Sequence, residues 1–203
     1  AGALSSHWGR VLRRNLIQCA ESRSVQQPLE ILDMIPAWVD GELVPVEKLH
    51  AHQLGLRHKA VSVFLCAGDD ILIQQRAAHK YHTPLLWANT CCTHPMWGES
   101  MNDCAHRRLH EELGIEDVAL TAVGQIEYRA DVGQGLIEHE LVEVFIGQVS
   151  RNLEIDPNPD EVVAVAWSNR HKLASDARSN WALYTPWFRI YLDQHQDQIF
   201  KVN

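Results

Sequence analysis

The chain has 203 residues and a formal net charge of −8, with 46% hydrophobic and 22% charged side chains. That length suits one well-buried domain with room for an appendage, and the balance excludes a disordered or fibrous chain. The acidic charge argues against a nucleic-acid partner, yet it allows a small anion held by a few local Arg and Lys side chains. No apolar run approaches the ~20 residues needed to span a bilayer, so no membrane partner is expected. Five cysteines, two of them adjacent, make a poor disulfide framework and point to a reducing, cytoplasmic compartment.

Residues 1–33 carry Arg10, Arg13, Arg14 and Arg23 among several serines, faintly like a transit peptide. We take them as a leader, disordered or loosely attached, with the domain running 34–203. Lys59–Cys66 and Ile71–Arg76 are β-rich runs joined by Ala67-Gly68-Asp69-Asp70, a hairpin signal. A third extended run ends at Cys92. Ser100-Met101-Asn102-Asp103 reads as a capping box opening a helix through Leu113, with Gly114 just past its end. Val118–Tyr128, Ile137–Val149 and Glu161–Trp167 read as further strands. Pro186 sits in the first turn of a terminal helix over 186–192. Strands on both sides of a central helix predict an α/β domain with a mixed sheet.

Chemistry concentrates at residues 87–95, Trp-Ala-Asn-Thr-Cys-Cys-Thr-His-Pro, where a thiol and an imidazole stand side by side. In extended backbone Cys92 and His94 project to one side. Glu138 and Glu140 share a strand face with Val142 and Val144, so that face turns inward unless the strand is a solvated edge. Two inward carboxylates need protons or a cation to offset their repulsion and desolvation. His52 and His58 lie six apart before the first strand. Singly, each histidine reads as a surface or core residue. With His94 and the two carboxylates they would make a closed, mostly hard site for Mg²⁺, Mn²⁺ or Zn²⁺.

The helix carries Glu99, Arg107, Glu111, Glu112 and Gly114 at the spacings of the Nudix box, in which clustered glutamates let Mg²⁺ bridge protein to diphosphate. Thr93 stands where the box has its first Gly, and Arg108 where it has a Glu. Otherwise the helix is a solvated one with Arg107–Glu111 and Arg108–Glu112 pairs, each worth only ~0.3–0.5 kcal/mol. Lys48, Arg76, Lys80 and Arg108 flank these motifs as candidate diphosphate cations.

Together these stretches resemble type 1 isopentenyl diphosphate isomerases. The shared pattern comprises His52 and His58 before Ala-Val-Ser-Val-Phe, the run 87–95, Gly-Glu-Ser at 98–100 and Arg-Arg-Leu-His-Glu-Glu-Leu-Gly at 107–114. It continues with Tyr-Arg-Ala at 128–130, Glu-His-Glu at 138–140 and Thr-Pro-Trp at 185–187. The resemblance begins near Ile35. It implies a Nudix-like α/β/α sandwich with a mixed β-sheet, acting on a small prenyl diphosphate in isoprenoid biosynthesis.

It further implies a metal held by His52, His58, His94, Glu138 and Glu140, and a Mg²⁺ bridging the substrate diphosphate to Glu112. The diphosphate cations would be Lys48, Arg76, Lys80 and Arg108. The catalytic thiol falls on Cys92, with Cys91 a bystander. Glu140, assisted by Tyr128, would handle the other proton, and Trp187 would face a carbocation, an attraction worth about 2 kcal/mol when desolvated. A monomer or weak dimer is expected. Two other readings stand against it. A Nudix hydrolase of a small diphosphate would not need the Cys92/His94 pair and would keep the Glu that Arg108 replaces. A non-catalytic zinc protein would favour a C-x2-C spacing, which the sequence lacks.

Overall fold

Nearly every side chain from Arg57 to Ala67 is buried, as befits a strand covered on both faces. In the computed structural model, which describes residues 34–201, this strand is β3, the spine of a nine-stranded mixed sheet. The expected leader at 1–33 lies outside the described residues.

The chain opens with an antiparallel hairpin, β1 (Met34–Val39) and β2 (Glu42–Glu47), followed by helix α1 (Lys48–Leu54). Strand β3 then turns through Gly68 into β4 (Asp70–Arg76). Loop 77–86 leads to the short strands β5 (Trp87–Ala88) and β6 (Cys91–Thr93), and then to α2 (Met101–Leu113). Strands β7 (Thr121–Gly133) and β8 (Leu136–Gln148) form a long hairpin. Strand β9 (Val162–Asn169) pairs antiparallel with β4. Helices α3 (Arg170–Ser179), α4 (Pro186–Gln194) and α5 (Gln196–Ile199) close the described chain.

The register of β3 determines what meets at the site. It runs parallel to β8, placing His58 beside Glu140, and antiparallel to β6, placing Ser62 beside Cys92. Strand β7 sets Tyr128 against Glu140 on the other side of β8. Alternation then sorts the side chains into two cores. On one face Val61, Val63, Leu65 and Cys91 pack against Cys104, Ala105, Leu109 and Leu113 of α2. On the other, Ala60, Phe64, Val142 and Val144 pack against Trp187, Phe188, Tyr191 and Leu192 of α4. The result is the expected α/β/α sandwich.

Helix α2 begins and ends where its sequence indicates. Ser100 caps it by accepting from the Asp103 N–H at 3.1 Å, and Gly114 terminates it in the left-handed region at φ 64°. A Cβ there would meet the Asp156 backbone oxygen at 3.0 Å, so glycine is required sterically as well as conformationally. Hairpin β1–β2 and helices α1 and α3 are additions to the expected elements. Pro36 and Pro45, paired across the hairpin, mask its strand signal. Glu47, an unusual N-cap whose carboxylate accepts from the Leu49 and His50 N–H groups, hides the start of α1.

Candidate active site

Helix α1, the start of β3, the end of β6 and the middle of β8 bring His52, His58, His94 and Glu140 into one group, with ligand atoms all within 4.8 Å of one another. His94 Nε2 lies 2.9 Å from Glu140 Oε1 and 3.2 Å from His58 Nε2, and His58 Nε2 lies 3.6 Å from that same carboxylate oxygen. His52 donates from Nδ1 to the Lys48 carbonyl at 2.6 Å, and His58 from Nδ1 to the Leu56 carbonyl at 2.7 Å. A carbonyl can only accept, so both rings carry their proton on Nδ1 and turn an Nε2 lone pair inward. His52 Nε2 is buried without a hydrogen-bond partner among the described residues. Converging lone pairs, one of them orphaned, are the donor arrangement of a cation site.

Glu138, expected in the same set, groups instead with His52 and with His82. The Tyr128 hydroxyl bridges the two carboxylates, at 3.0 Å from Glu138 Oε2 and 2.7 Å from Glu140 Oε2. Burial and the Glu140 charge push the Glu138 carboxyl well up. Burial acts on Glu140 too, but the His58 and His94 imidazoles beside it outweigh it and hold that carboxyl well below its usual range.

Beside this group a narrow cleft is lined by Lys48, Arg76, Lys80, Cys92, His94, Arg108, Glu112, Glu138, Glu140 and Trp187. Every expected diphosphate cation is there. Burial, and then the charges of Arg108, Lys80 and Arg76, push the Lys48 ammonium down, so an anion among these four groups would relieve their mutual repulsion. Arg108 lies 2.6 Å from Glu112 and 2.7 Å from Glu111. Lys80 pairs with Glu161, which also lies 3.4 Å from Arg108. Gln74 donates to Glu112 at 2.8 Å. Glu99 and Arg107 form a bidentate pair at 2.6 and 2.8 Å that locks the entry to α2.

Cys92 faces the cleft, whereas Cys91 is buried against α2. The Cys92 thiol lies 3.1 Å from Ser62 Oγ, which lies 2.9 Å from the Tyr191 hydroxyl. Burial and the Glu140 and Glu138 carboxylates push this thiol well up, against the hydrogen bond with Ser62. Trp187 is 1% exposed, and the Arg76 guanidinium stands over its ring at 5.3 Å. Its π-face therefore supports a cation already.

His82, Ser62, Tyr191, Gln74 and Glu161 escaped the sequence reading. Only His82 had a local signal, two residues beyond Lys80.

Residues 56–188 match the NUDIX domain. The chain is 58% identical over 168 residues to the isopentenyl-diphosphate Delta-isomerase of Cereibacter sphaeroides, covering 83% of this chain and 95% of the relative. The isomerase of that name from Dinoroseobacter shibae is also 58% identical, over 83% of this chain and 96% of its own. This chain belongs to the isopentenyl-diphosphate Delta-isomerase family of NUDIX proteins. Family membership brings dependence on a divalent metal ion, and the His/Glu group is able to hold one. The fold agrees with a Deinococcus radiodurans structure (TM-score 0.63, 12% identity, 78% of this chain and 96% of that one). It also agrees with a MutT protein of Methanosarcina mazei (TM-score 0.56, 16% identity, 71% and 96%). No helix among the described residues is long and apolar enough to cross a membrane.

Proposed function

We propose that the chain interconverts isopentenyl diphosphate and dimethylallyl diphosphate in isoprenoid biosynthesis, by protonation and deprotonation through a tertiary carbocation. The observation that carries the reading is one cleft in which a thiol and a carboxylate with its hydroxyl partner stand beside four cations. In the forward direction a proton adds to the terminal alkene carbon and leaves the neighbouring carbon as a tertiary cation. A proton then departs from the methylene on the diphosphate side of that cation, and the double bond re-forms there.

Cys92 and Glu140, with Tyr128 hydrogen-bonded to Glu140, exchange these two protons. Thiol and carboxyl groups both serve as acid or base once their surroundings tune them. Lys48, Arg76, Lys80 and Arg108 anchor the diphosphate. Trp187 and its apolar surroundings exclude the water that would trap the cation as an alcohol. His52, His58, His94 and Glu140, with Glu138 nearby, would hold a divalent ion (Mg²⁺, Mn²⁺ or Zn²⁺), supplying the positive charge that two buried carboxylates require. Glu112 would hold a Mg²⁺ against the substrate diphosphate, lowering its charge. We further take residues 34–203 as the catalytic domain of a cytoplasmic monomer or weak dimer.

Arg108 in place of a box glutamate, beside Cys92, favours isomerisation over hydrolysis. Phosphorus and proton NMR of isopentenyl diphosphate with Mg²⁺ and the full chain tests this. Conversion to dimethylallyl diphosphate without phosphate release is expected; phosphate release without isomerisation would overturn the reading.

A further inference from the structure

We propose that His82, carried on loop 77–86, is an additional ligand of the His/Glu metal centre. The argument rests on the metal reading above and extends it to a residue outside the expected ligand set. Two candidate ligand groups exist among the described residues, His52–His58–His94–Glu140 and His52–His82–Glu138, and they share His52. The shared atom is Nε2, because Nδ1 of His52 is committed to the Lys48 carbonyl. That Nε2 is the orphaned one, so an ion in front of it faces both groups. Because the ligand atoms of the two groups together do not all lie within 4.8 Å of one another, one ion would draw them together on binding.

His82 is prepared in the same way as its neighbours. Its Nδ1 is paired with Thr83 Oγ1 at 3.1 Å, leaving Nε2 to face Glu138 Oε1 at 3.7 Å. This separation is too long for a hydrogen bond. It is ordinary for two donors of one ion, which at about 2.1 Å each can lie up to about 4.2 Å apart. The ring is 4% exposed, stacked on His52 with centroids 5.9 Å apart and set edge-on to Trp187 at 6.0 Å. A buried imidazole held by a hydroxyl at one nitrogen and aimed at a carboxylate with the other is a ligand arrangement.

The loop context gives this ligand a consequence. Arg76 donates to the His82 carbonyl at 3.2 Å, and Lys80 precedes His82 by two residues on the same loop. An ion bound by His82 therefore fixes the segment that carries one diphosphate cation and buttresses another. Metal loading and diphosphate binding become coupled through the loop.

The test uses the full chain without diphosphate. Zn²⁺ affinity and stoichiometry are read by calorimetry and Co²⁺ coordination by visible absorption, for wild type, His82→Ala, His82→Phe and His58→Ala. Wild type should bind one ion per chain. Both His82 variants should bind at least about 10-fold more weakly and show altered Co²⁺ bands, with His82→Phe retaining the ring packing. Unchanged affinity and bands in His82→Phe would make the ring packing only and overturn the proposal. Two ions per wild-type chain would overturn it in favour of separate sites. If His58→Ala also left binding unchanged, the His/Glu reading itself would fail, which is a distinguishable result.

Discussion

Cys91 and Cys92 are adjacent in sequence and lie on opposite faces of the sheet. Cys91 is fully buried among the aliphatic side chains beneath α2, and Cys92 opens onto a cleft with two carboxylates and Trp187. The same division separates the two halves of the molecule. The α2 face keeps most of its charges in short pairs within the helix and its cap, such as Glu99–Arg107 and Arg107–Glu111. Its buried layer is apolar except at the cleft edge, where Glu112 meets Gln74. The α4 face buries imidazoles, carboxylates and hydroxyls that only each other, or a ligand, can satisfy. One face holds the fold together, and the other spends stability on chemistry.

The sharpest way to break this comparison is to truncate each cysteine. Cys92→Ala should lower kcat about 10²–10⁴-fold, the scale of a lost proton-transfer group. Cys91→Ala should leave kcat within a few-fold and lower the melting temperature by a few degrees through the cavity it leaves. Equal kinetic losses would erase the distinction. Next comes Arg108→Ala, which removes a charged anchor and should raise KM for isopentenyl diphosphate about 10–100-fold with a smaller change in kcat. Steady-state kinetics at two salt concentrations checks this, since an electrostatic anchor weakens as salt rises.

A smaller effect sharpens the picture of the cleft wall. The Tyr191 hydroxyl is buried and, among the described residues, Ser62 is its hydrogen-bond partner. When it donates to Ser62, the Ser62 hydrogen is free to point at Cys92. Tyr191→Phe should cost kcat about 10-fold at unchanged KM, the scale of one hydrogen bond. An unchanged kcat would show that the pair only fills space.

The smallest expected effect lies on the structural face. Burial favours a neutral Glu99, but the Arg107 guanidinium and the Met96 N–H outweigh it and hold this carboxyl below its usual range. A carboxyl lowered by folding adds stability above its unfolded pKa and loses it as pH falls through the folded value. Glu99→Gln should thus melt earlier than wild type near neutrality, and the gap should close below about pH 4. Melting curves from pH 3 to 7 would decide it, and a gap that widens on acidification would contradict the pairing.

Much of this organisation is legible in the chain. Alternation from Glu138 to Val144 announces an inward face, and that face is buried. The α2 helix is bounded by Ser100 and Gly114 because capping is a local property. Neither prolines in paired strands nor a glutamate cap is a local strand or helix signal, so β1, β2 and α1 were not legible. Convergence is the other gap. Ser62 and Tyr191 are 129 residues apart, and His82 meets Glu138 only because the loop folds back over β8. Such contacts are set by register and packing, which spacing alone does not encode.

The most direct test of the account is isomerisation in D₂O followed by proton NMR, with wild type, Cys91→Ala and Cys92→Ala. Deuterium should enter the product with wild type and Cys91→Ala, and at least about 100-fold more slowly with Cys92→Ala. Deuterated dimethylallyl diphosphate formed at the wild-type rate by Cys92→Ala would contradict the role given to this thiol.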